Sequence, residues 1–364
     1  MKKRDFLKSS LYAIGGLGLF SNSLASFAAA KPALPSNQMP AYLATTRGNK
    51  REKTLMVLDQ SKANEYVPAA FFMHFNEKLG QGAINRHLEY FRATNMDFVK
   101  VQYEIVLPRI ADIKKPEDWA KIPVYKKDFF EPQLAVIEAL AKELKSEALI
   151  IPTVYSPLSL AGQTVGKDVL AHANQNPDAV EKGFRNLTES ILNYINEAIN
   201  RGADGFYIST QGGDVKNFGD GPLFSKLIAP YDQLIVQESS EKALVNILHI
   251  CDYESPYNQL HKFESYPGSI INPPVRLADG TPLKFKEIQS SFKRPVMGGL
   301  DRLGIITKGT PAEIKAELDK VLEEASPNFI LGADCTIPGS VSWQTLREVI
   351  DYAHNWRTNH HHGS

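Results

Sequence analysis

The sequence has no excess of charge, because 41 lysines and arginines balance 41 aspartates and glutamates over 364 residues. It therefore lacks the net positive charge, and the stretch of consecutive basic residues, that would attract nucleic acid or a membrane surface. It also lacks a phosphate-binding loop, since neither Gly212-Gly213 nor Gly298-Gly299 has the spacing of a nucleotide fingerprint. We predict a small-molecule substrate and no nucleic-acid partner.

No apolar run near the N-terminus is long enough to span a membrane. Leu11–Phe20 covers about ten residues, against the roughly 20 that a spanning helix needs. A basic start, Lys2–Lys8, precedes it and the small residues Ala28–Ala30 follow it, which is the order of regions in a secretory signal. The basic start also resembles a twin-arginine export signal with lysine in place of the first arginine. We predict an export signal over residues 1–30, a periplasmic location, and no stable membrane insertion after the signal is removed.

The rest of the chain forms one domain between two short flanking segments. Residues 31–60 are rich in proline, serine, asparagine and lysine, which predicts a linker and lead-in. Residues 358–364 include three consecutive histidines and are interpreted as a tag remnant, so they are excluded as a metal site. The remaining body, 61–357, is large enough to bury about three quarters of its unfolded surface.

Short strand-like runs alternate with helical patterns along this body. Strands are predicted over Val67–Phe75, Phe98–Glu104, Ala148–Ser156, Gly205–Ser209, Leu244–Cys251, Ser269–Asn272, Pro295–Asp301 and Phe329–Cys335. Helices are predicted near 82–94, 128–146, 178–201, 222–239, 254–265, 282–291, 310–325 and 342–356. Eight strands alternating with helices favour a single-domain α/β fold, a closed (β/α)8 TIM barrel, over an open doubly wound sheet.

His249 and Cys251 form a His-x-Cys pair at the end of the fifth predicted strand. Alternate side chains of a strand share a face, so the two point the same way. Cys335 ends the eighth predicted strand, and barrel enzymes carry their reactive groups where strands end. One imidazole and two thiolates suit Zn²⁺ and leave a fourth position for water or substrate. A thiol bound to zinc is deprotonated and becomes a nucleophile at neutral pH.

Two other arrangements fit the same three residues. Two cysteines in an exported chain often form a disulfide, and both can also be buried thiols beside a core histidine. The sulfur–sulfur distance distinguishes the zinc site from the disulfide. Two sulfurs on one tetrahedral zinc ion should lie about 3.5–4 Å apart, and the sulfurs of a disulfide about 2.05 Å apart. The pattern of residues alone leaves these alternatives open.

Several stretches of the second half of the chain resemble the uroporphyrinogen decarboxylase superfamily. They are Gly202–Phe206, Ala229–Tyr231, Asn246–Cys251, Pro295–Asp301, Gly309–Ile314 and Phe329–Pro338. The resemblance is closest to the methylcobamide:coenzyme M methyltransferases, in which the His-x-Cys pair and the distant cysteine bind zinc. It implies that His249, Cys251 and Cys335 are zinc ligands that activate a thiol. It further implies a corrinoid as methyl donor, with a corrinoid or corrinoid protein as partner.

The decarboxylase branch of the same superfamily is an alternative. It implies a tetrapyrrole or polyacid substrate, and its carboxylate after the second strand would correspond to Glu104. However, nothing between Lys53 and Gly80 matches its arginine-rich motif, and a substrate with many carboxylates should meet several arginines. A third hypothesis is a non-catalytic periplasmic binder of a corrinoid or tetrapyrrole.

Polar residues at other strand ends complete the predicted site. Glu104 is the candidate catalytic residue, because burying a carboxylate at a strand end is costly. Asp252, next to the His-x-Cys pair, could complete or orient the metal shell. The substrate-binding candidates are His74, Gln102, Tyr155, Gln211, Asp252 and Asp301.

Overall fold

A computed structural model describes residues 49–62 and 64–361 of the chain. The predicted export signal and most of the predicted linker lie outside the described residues. The last helix continues to His361, through the first part of the segment interpreted as a tag remnant. Within the described residues, no helix combines the length and the apolar character needed to cross a membrane.

Seven parallel strands form one sheet in which each strand pairs with the next along the chain. They are β1 (Phe98–Val101), β2 (Leu149–Tyr155), β3 (Gly205–Thr210), β4 (Val245–Ile250), β5 (Ile270–Asn272), β6 (Val296–Leu300) and β7 (Phe329–Ala333). Every strand is buried along nearly its whole length. Strands covered on both faces are expected in α/β folds, where helices pack against a parallel sheet.

Helices fill most of the connections between these strands. They are α1 (Lys50–Leu55), α2 (Gly80–Thr94), α3 (Lys127–Leu144), α4 (Pro157–Val165), α5 (Val169–Gln175), α6 (Pro177–Asn200), α7 (Pro222–Leu227), α8 (Ala229–Lys242), α9 (Phe285–Phe292), α10 (Ile305–Lys308), α11 (Pro311–Glu324) and α12 (Trp343–His361). The prediction of an α/β fold with alternating strands and helices is confirmed, and seven of the eight predicted strands are present.

The prediction of a strand over Val67–Phe75 is wrong, because the described structure has no regular strand there. Only Ala69 forms a bridge, in parallel with Leu331. Pro68 has no amide hydrogen to donate to a sheet. Beyond Ala70, the carbonyl oxygens of the segment bind other groups: that of Phe71 accepts from a tyrosine hydroxyl, and that of Phe72 accepts from the amide of Ile337 in the loop after β7.

Two helix predictions also need correction. The pattern over 254–265 gives only a short 3₁₀ turn at His261–Phe263. Its backbone bonds to other loops instead, since the carbonyl of Pro256 accepts from Val215 and that of Tyr257 accepts from Ala278. The helix predicted over 222–239 is interrupted at Ile228, and Pro230 lies in the first turn of its second half, where a missing amide hydrogen is tolerated.

Asp232 on α8 is a buried carboxyl group that packs against the end of β3. It accepts a hydrogen bond from the hydroxyl of Thr210. Burial raises its pKa to about 7, although the bond from Thr210 acts in the opposite direction. This pKa lies above that of an aspartate in the unfolded chain. The contribution of Asp232 to the free energy of unfolding is therefore most favourable below about pH 4 and becomes less favourable as the pH rises towards 7.

Replacing Asp232 with asparagine should therefore stabilise the protein at alkaline pH. Asparagine can still accept the bond from Thr210 but carries no charge to bury. We expect the free energy of unfolding at pH 8 to rise by about 2–4 kcal/mol, with a smaller gain as the pH falls towards 4. Urea denaturation at several pH values measures this, with Asp112→Asn, at an exposed loop position, as the matched control. A gain independent of pH would contradict the assignment.

Candidate metal centre

His249, Cys251 and Cys335 meet at the carboxyl end of the sheet. His249 lies in β4, Cys251 directly follows that strand, and Cys335 lies two residues after the end of β7. All three are buried, and their potential ligand atoms lie within 4.8 Å of one another. The alternation of side chains along β4 points His249 and Cys251 to the same face, so two non-neighbouring strands supply one cluster.

The two cysteines are free thiols, not a disulfide. Their Sγ atoms lie 3.9 Å apart, far beyond a sulfur–sulfur bond. This distance falls in the range of about 3.5–4 Å expected for two sulfurs that share one tetrahedral zinc ion. The disulfide interpretation is therefore not supported, and the spacing is compatible with a shared metal.

The imidazole of His249 is oriented by β5. Its Nδ1 lies 3.2 Å from the main-chain oxygen of Asn272, so Nδ1 carries the proton and donates. Nε2 is buried and has no hydrogen-bond partner among the described residues. The ring of Tyr207 stacks on the imidazole, with centroids 4.8 Å apart. A histidine that donates one nitrogen to a carbonyl and leaves the other nitrogen free has the tautomer required of a metal ligand.

Asn272 fixes this arrangement with its side chain as well. Its Nδ2 donates to the main-chain oxygens of Met297 at 2.9 Å and Ala333 at 3.1 Å. Its Oδ1 accepts from the hydroxyl of Tyr207, whose ring covers His249. Asn272 is fully buried and thus connects β5 with β3, β6 and β7 directly below the cluster.

The two thiols lie within hydrogen-bond distance of each other. The contact with Cys335 lowers the pKa of Cys251 well below its usual range. Burial opposes this shift, and His249 and Gln211 reinforce it. The same contact, together with burial, raises the pKa of Cys335. One sulfur of the pair is accordingly prepared to be a thiolate, the form that binds metals.

One guanidinium group connects the residues that flank the two cysteines. Nη1 of Arg302 lies 2.7 Å from a carboxylate oxygen of Asp252 and 2.7 Å from one of Asp334. The amide of Arg302 also donates to Asp334 at 2.8 Å. Asp252 follows Cys251 and Asp334 precedes Cys335, so this Asp252–Arg302–Asp334 bridge joins the ends of β4 and β7. Burial raises the pKa of Asp334 to about 6 in spite of the arginine.

Further hydrogen bonds support Cys251. Nε2 of Gln211 lies 3.5 Å from its sulfur, and Oε1 of Gln211 accepts from Ser159 at 2.6 Å. The hydroxyl of Tyr257 donates to the main-chain oxygen of Cys251 at 3.0 Å. Gln211, a predicted substrate-binding residue, therefore contacts a candidate ligand directly.

Lys100 is a buried cation in β1. Its Nζ donates to Oε1 of Gln102 at 3.0 Å and lies 4.6 Å from the ring centroids of both Phe72 and Tyr207. Burial lowers the pKa of Lys100 to about 8, while the charges of Cys335, Cys251 and Glu104 act to raise it. Gln102, predicted to bind substrate, is held between this ammonium and the main-chain oxygen of Met73.

His74, Glu104 and Asp301, three other predicted residues, lie in the loops at the carboxyl end of the sheet, which we call the rim. His74 and Lys78 both bind the carboxylate of Glu104, at 2.9 and 3.1 Å. Burial would raise the pKa of Glu104, but these two partners outweigh it and lower the pKa. Asp301 accepts from Arg276 at 2.7 Å. Glu104 is thus held as an anion, and its catalytic role stays a prediction.

Tyr155 is the last residue of β2. Its ring packs edge-on against Tyr103, with centroids 5.5 Å apart. Burial raises its pKa, with further contributions from the charges of Glu104 and of both cysteines. Sequence reasoning assigned no role to Lys100, Tyr207, Asn272, Arg302 or Asp334. Lys100 lies two residues before Gln102, and the two side chains are joined by a hydrogen bond.

Comparisons with known proteins identify a family and several relatives. The family model for uroporphyrinogen decarboxylase (URO-D) matches residues 92–356. The chain is 24% identical over 247 residues to the methylcobamide:CoM methyltransferase MtbA of Methanosarcina mazei, covering 67% of this chain and 70% of that protein. The corresponding protein of Methanosarcina acetivorans is 22% identical with the same coverage.

Solved structures share the fold at low identity. A methyltransferase from Methanosarcina mazei superposes with a TM-score of 0.69 and 15% identity, covering 85% of this chain and 98% of that one. A B12-independent methionine synthase from Shewanella sp. W3-18-1, in complex with selenomethionine, gives a TM-score of 0.53 and 13% identity, covering 80% and 98%. These likenesses concern the fold of the sheet and its helices.

Proposed function

The chain belongs to the uroporphyrinogen decarboxylase (URO-D) family, and from this premise we propose that it is a zinc-dependent methyltransferase acting on a thiol. The observation that carries the proposal is the cluster of His249, Cys251 and Cys335, with its 3.9 Å sulfur spacing and its free imidazole nitrogen. The two relatives named methylcobamide:CoM methyltransferases support methyl transfer, with a corrinoid as donor.

The three candidate ligands fit zinc by their chemistry and leave a fourth position for substrate. Zinc bound there would lower the pKa of an incoming thiol, so that it reacts as a thiolate. In the proposed reaction the thiol loses its proton to solvent and its sulfur forms the new S–CH₃ bond. The electron pair of the broken methyl–cobalt bond stays on the corrinoid, so charge and electrons balance.

The chain's own residues prepare this site before any substrate arrives. Asn272 sets the tautomer of His249, and Gln211 donates to the sulfur of Cys251. The Asp252–Arg302–Asp334 bridge fixes the spacing of the two loops that carry the thiols. Holding ligands in place through such outer contacts typically contributes a factor of 10–100 to metal affinity.

A decarboxylase acting on a polyacid is less well supported. Such a substrate needs several arginines that are free to bind carboxylates. Of the arginines at the carboxyl end of the sheet, Arg302 already binds two aspartates and Arg276 binds Asp301. Their charges are consequently neutralised within the protein, and Arg109, in the loop after β1, is the one arginine of these loops without an ion pair among the described residues.

We further propose that residues 67–70 close the sheet into a (β/α)8 barrel. The main-chain oxygen of Pro68 accepts from Leu331 at 2.8 Å and the amide of Ala70 donates back to Leu331 at 3.0 Å, on the β7 side. The oxygen of Ala69 accepts from the amide of Asp97, beside β1, at 2.9 Å. Export directed by residues 1–30 likewise remains our proposal, based on the order of basic, apolar and small residues there.

Metal analysis of the purified protein tests the proposed function. We expect about one zinc per chain, which a strong chelator removes and added zinc restores. The cobalt-substituted protein should show thiolate-to-cobalt charge-transfer absorption, and adding a thiol should change that spectrum. Methyl transfer from a methylcorrinoid to the thiol should depend on the metal. Stoichiometric zinc without transfer would favour a binding protein, and a protein that takes up no metal would overturn the proposal.

A further inference from the structure

Lys100 is a buried cation without an acidic partner. Only 7% of its surface is exposed, and no carboxylate of the described residues forms an ion pair with it. The neighbouring Arg302, by contrast, has two carboxylates at 2.7 Å. An uncompensated charge is costly to bury, so a lysine at this position requires a physical explanation.

The immediate surroundings of Lys100 replace only part of its hydration. One of its three N–H groups donates to Gln102, and the faces of Phe72 and Tyr207 attract the ammonium through their ring electrons. These contacts bring no negative charge. The groups whose charges act on Lys100 are the two thiols and, at the rim, Glu104, which already binds His74 and Lys78.

Binding of zinc would neutralise the negative charge of the thiolates, which otherwise compensates the positive charge of Lys100. A divalent ion, two thiolates and a neutral imidazole sum to zero charge, which leaves the ammonium of Lys100 unbalanced beside the centre. An anion at the fourth position would balance it, whereas a neutral ligand would not. The stacking of Tyr207 on His249 connects the ring that holds Lys100 to a candidate metal ligand.

We propose, on the basis of the proposed metal centre, that Lys100 determines ligand specificity by favouring an anionic fourth ligand over a neutral one. The acceptor then binds as a thiolate, and neutral nitrogen donors or thioethers are disfavoured. A methylated product is such a thioether. Once the sulfur has taken the methyl group it is neutral, so the same ammonium no longer retains it and product release is favoured.

The experiment compares two ligands on cobalt-loaded protein. 2-Mercaptoethanol supplies a thiolate without other charges, and imidazole supplies a neutral donor. Lys100→Met keeps the length of the side chain but removes the charge. We expect the variant to bind the thiolate at least ~10-fold more weakly, because the unit charge of a buried ammonium that interacts with the charges of both sulfurs is lost. Its affinity for imidazole should change less than about threefold, because a neutral ligand has no net Coulomb interaction with the ammonium.

Controls separate this effect from general damage. Lys100→Gln removes the charge with a different side-chain shape and must give the same selective loss. Lys142→Met makes the same charge change at a position on α3 that is 74% exposed and should change neither affinity. Equal weakening of both ligands, or no weakening, would overturn the role of Lys100 while leaving the metal centre intact. Failure of the wild-type protein to take up cobalt or zinc would instead overturn both proposals.

Discussion

Replacing Cys335 with serine is expected to remove most of the zinc from the protein. Serine is a poor zinc ligand, and only His249 and Cys251 would remain to hold the ion. We expect the zinc affinity to fall by more than about 100-fold, beyond the 10–100-fold typical of changes outside the ligand set. Competition with a chromophoric chelator measures the affinity, and the cobalt spectrum should lose one thiolate contribution.

Two observations make this result specific. Thr336→Ser, at the next position along the chain, should leave the zinc content unchanged, since threonine supplies none of the thiolate, imidazole or carboxylate groups that bind zinc. The variant Cys335→Ser should also unfold at nearly the same denaturant concentration as wild type when both are metal-free, because the two sulfurs share no covalent bond. Unchanged zinc content in Cys335→Ser would end the methyltransferase proposal.

Replacing Arg302 with methionine is expected to cost both stability and metal affinity. Methionine keeps much of the apolar stem, but it leaves Asp252 and Asp334 buried without their shared cation. Removing one partner of a buried ion pair typically costs about 3–5 kcal/mol. With the bridge broken, the loops that carry the two thiols are no longer tied together, and we expect zinc affinity to fall about 10–100-fold.

The matched control for this change is Arg276→Met. Arg276 also binds an aspartate at 2.7 Å, but it is 56% exposed, and such a surface pair contributes about 0–1 kcal/mol. Urea denaturation of the metal-free proteins gives the stability, and chelator competition gives the affinity. A loss of stability with normal zinc affinity would limit the bridge to a structural role. Equal effects for Arg276→Met and Arg302→Met would contradict its assignment as a buried bridge.

The order of the strands and the three candidate ligands could be predicted from the sequence because both depend on local patterns. Alternation along a strand places His249 and Cys251 on one face whatever the rest of the fold does. The position of Cys335 at a strand end follows from the apolar run before it. In a parallel sheet with helical connections all strands end on the same side, so these residues share one edge of the sheet. Their approach to within 4.8 Å across two intervening strands is a property of the folded chain.

The contacts around the ligands could not be predicted in this way. Arg302 binds residues that are 50 and 32 positions away, and its role depends on how three loops fold over the end of the sheet. Lys100 follows two apolar residues in β1, and nothing in its sequence neighbourhood distinguishes a buried lysine from an exposed one. Asn272 likewise acts through bonds to four different strands.

The incorrect predictions have a common origin. The apolar run from Val67 to Phe75 has the composition of a strand, but composition does not show where its carbonyl oxygens will find donors. The segment 254–265 has helical spacing, yet its backbone bonds to neighbouring loops near the candidate site. Tertiary contacts override local propensity most readily where the chain is shaped around a functional group.

The 84 positions that separate Cys251 from Cys335 affect the order in which the protein folds. Closing so long a segment carries an entropic penalty that only the completed sheet between β4 and β7 offsets. A His-x-Cys pair on its own is an incomplete site, so metal ions present during synthesis or refolding meet two ligands long before the third. In the proposed metal centre, capture of zinc would therefore be a late event that stabilises the finished domain and would not guide its early assembly.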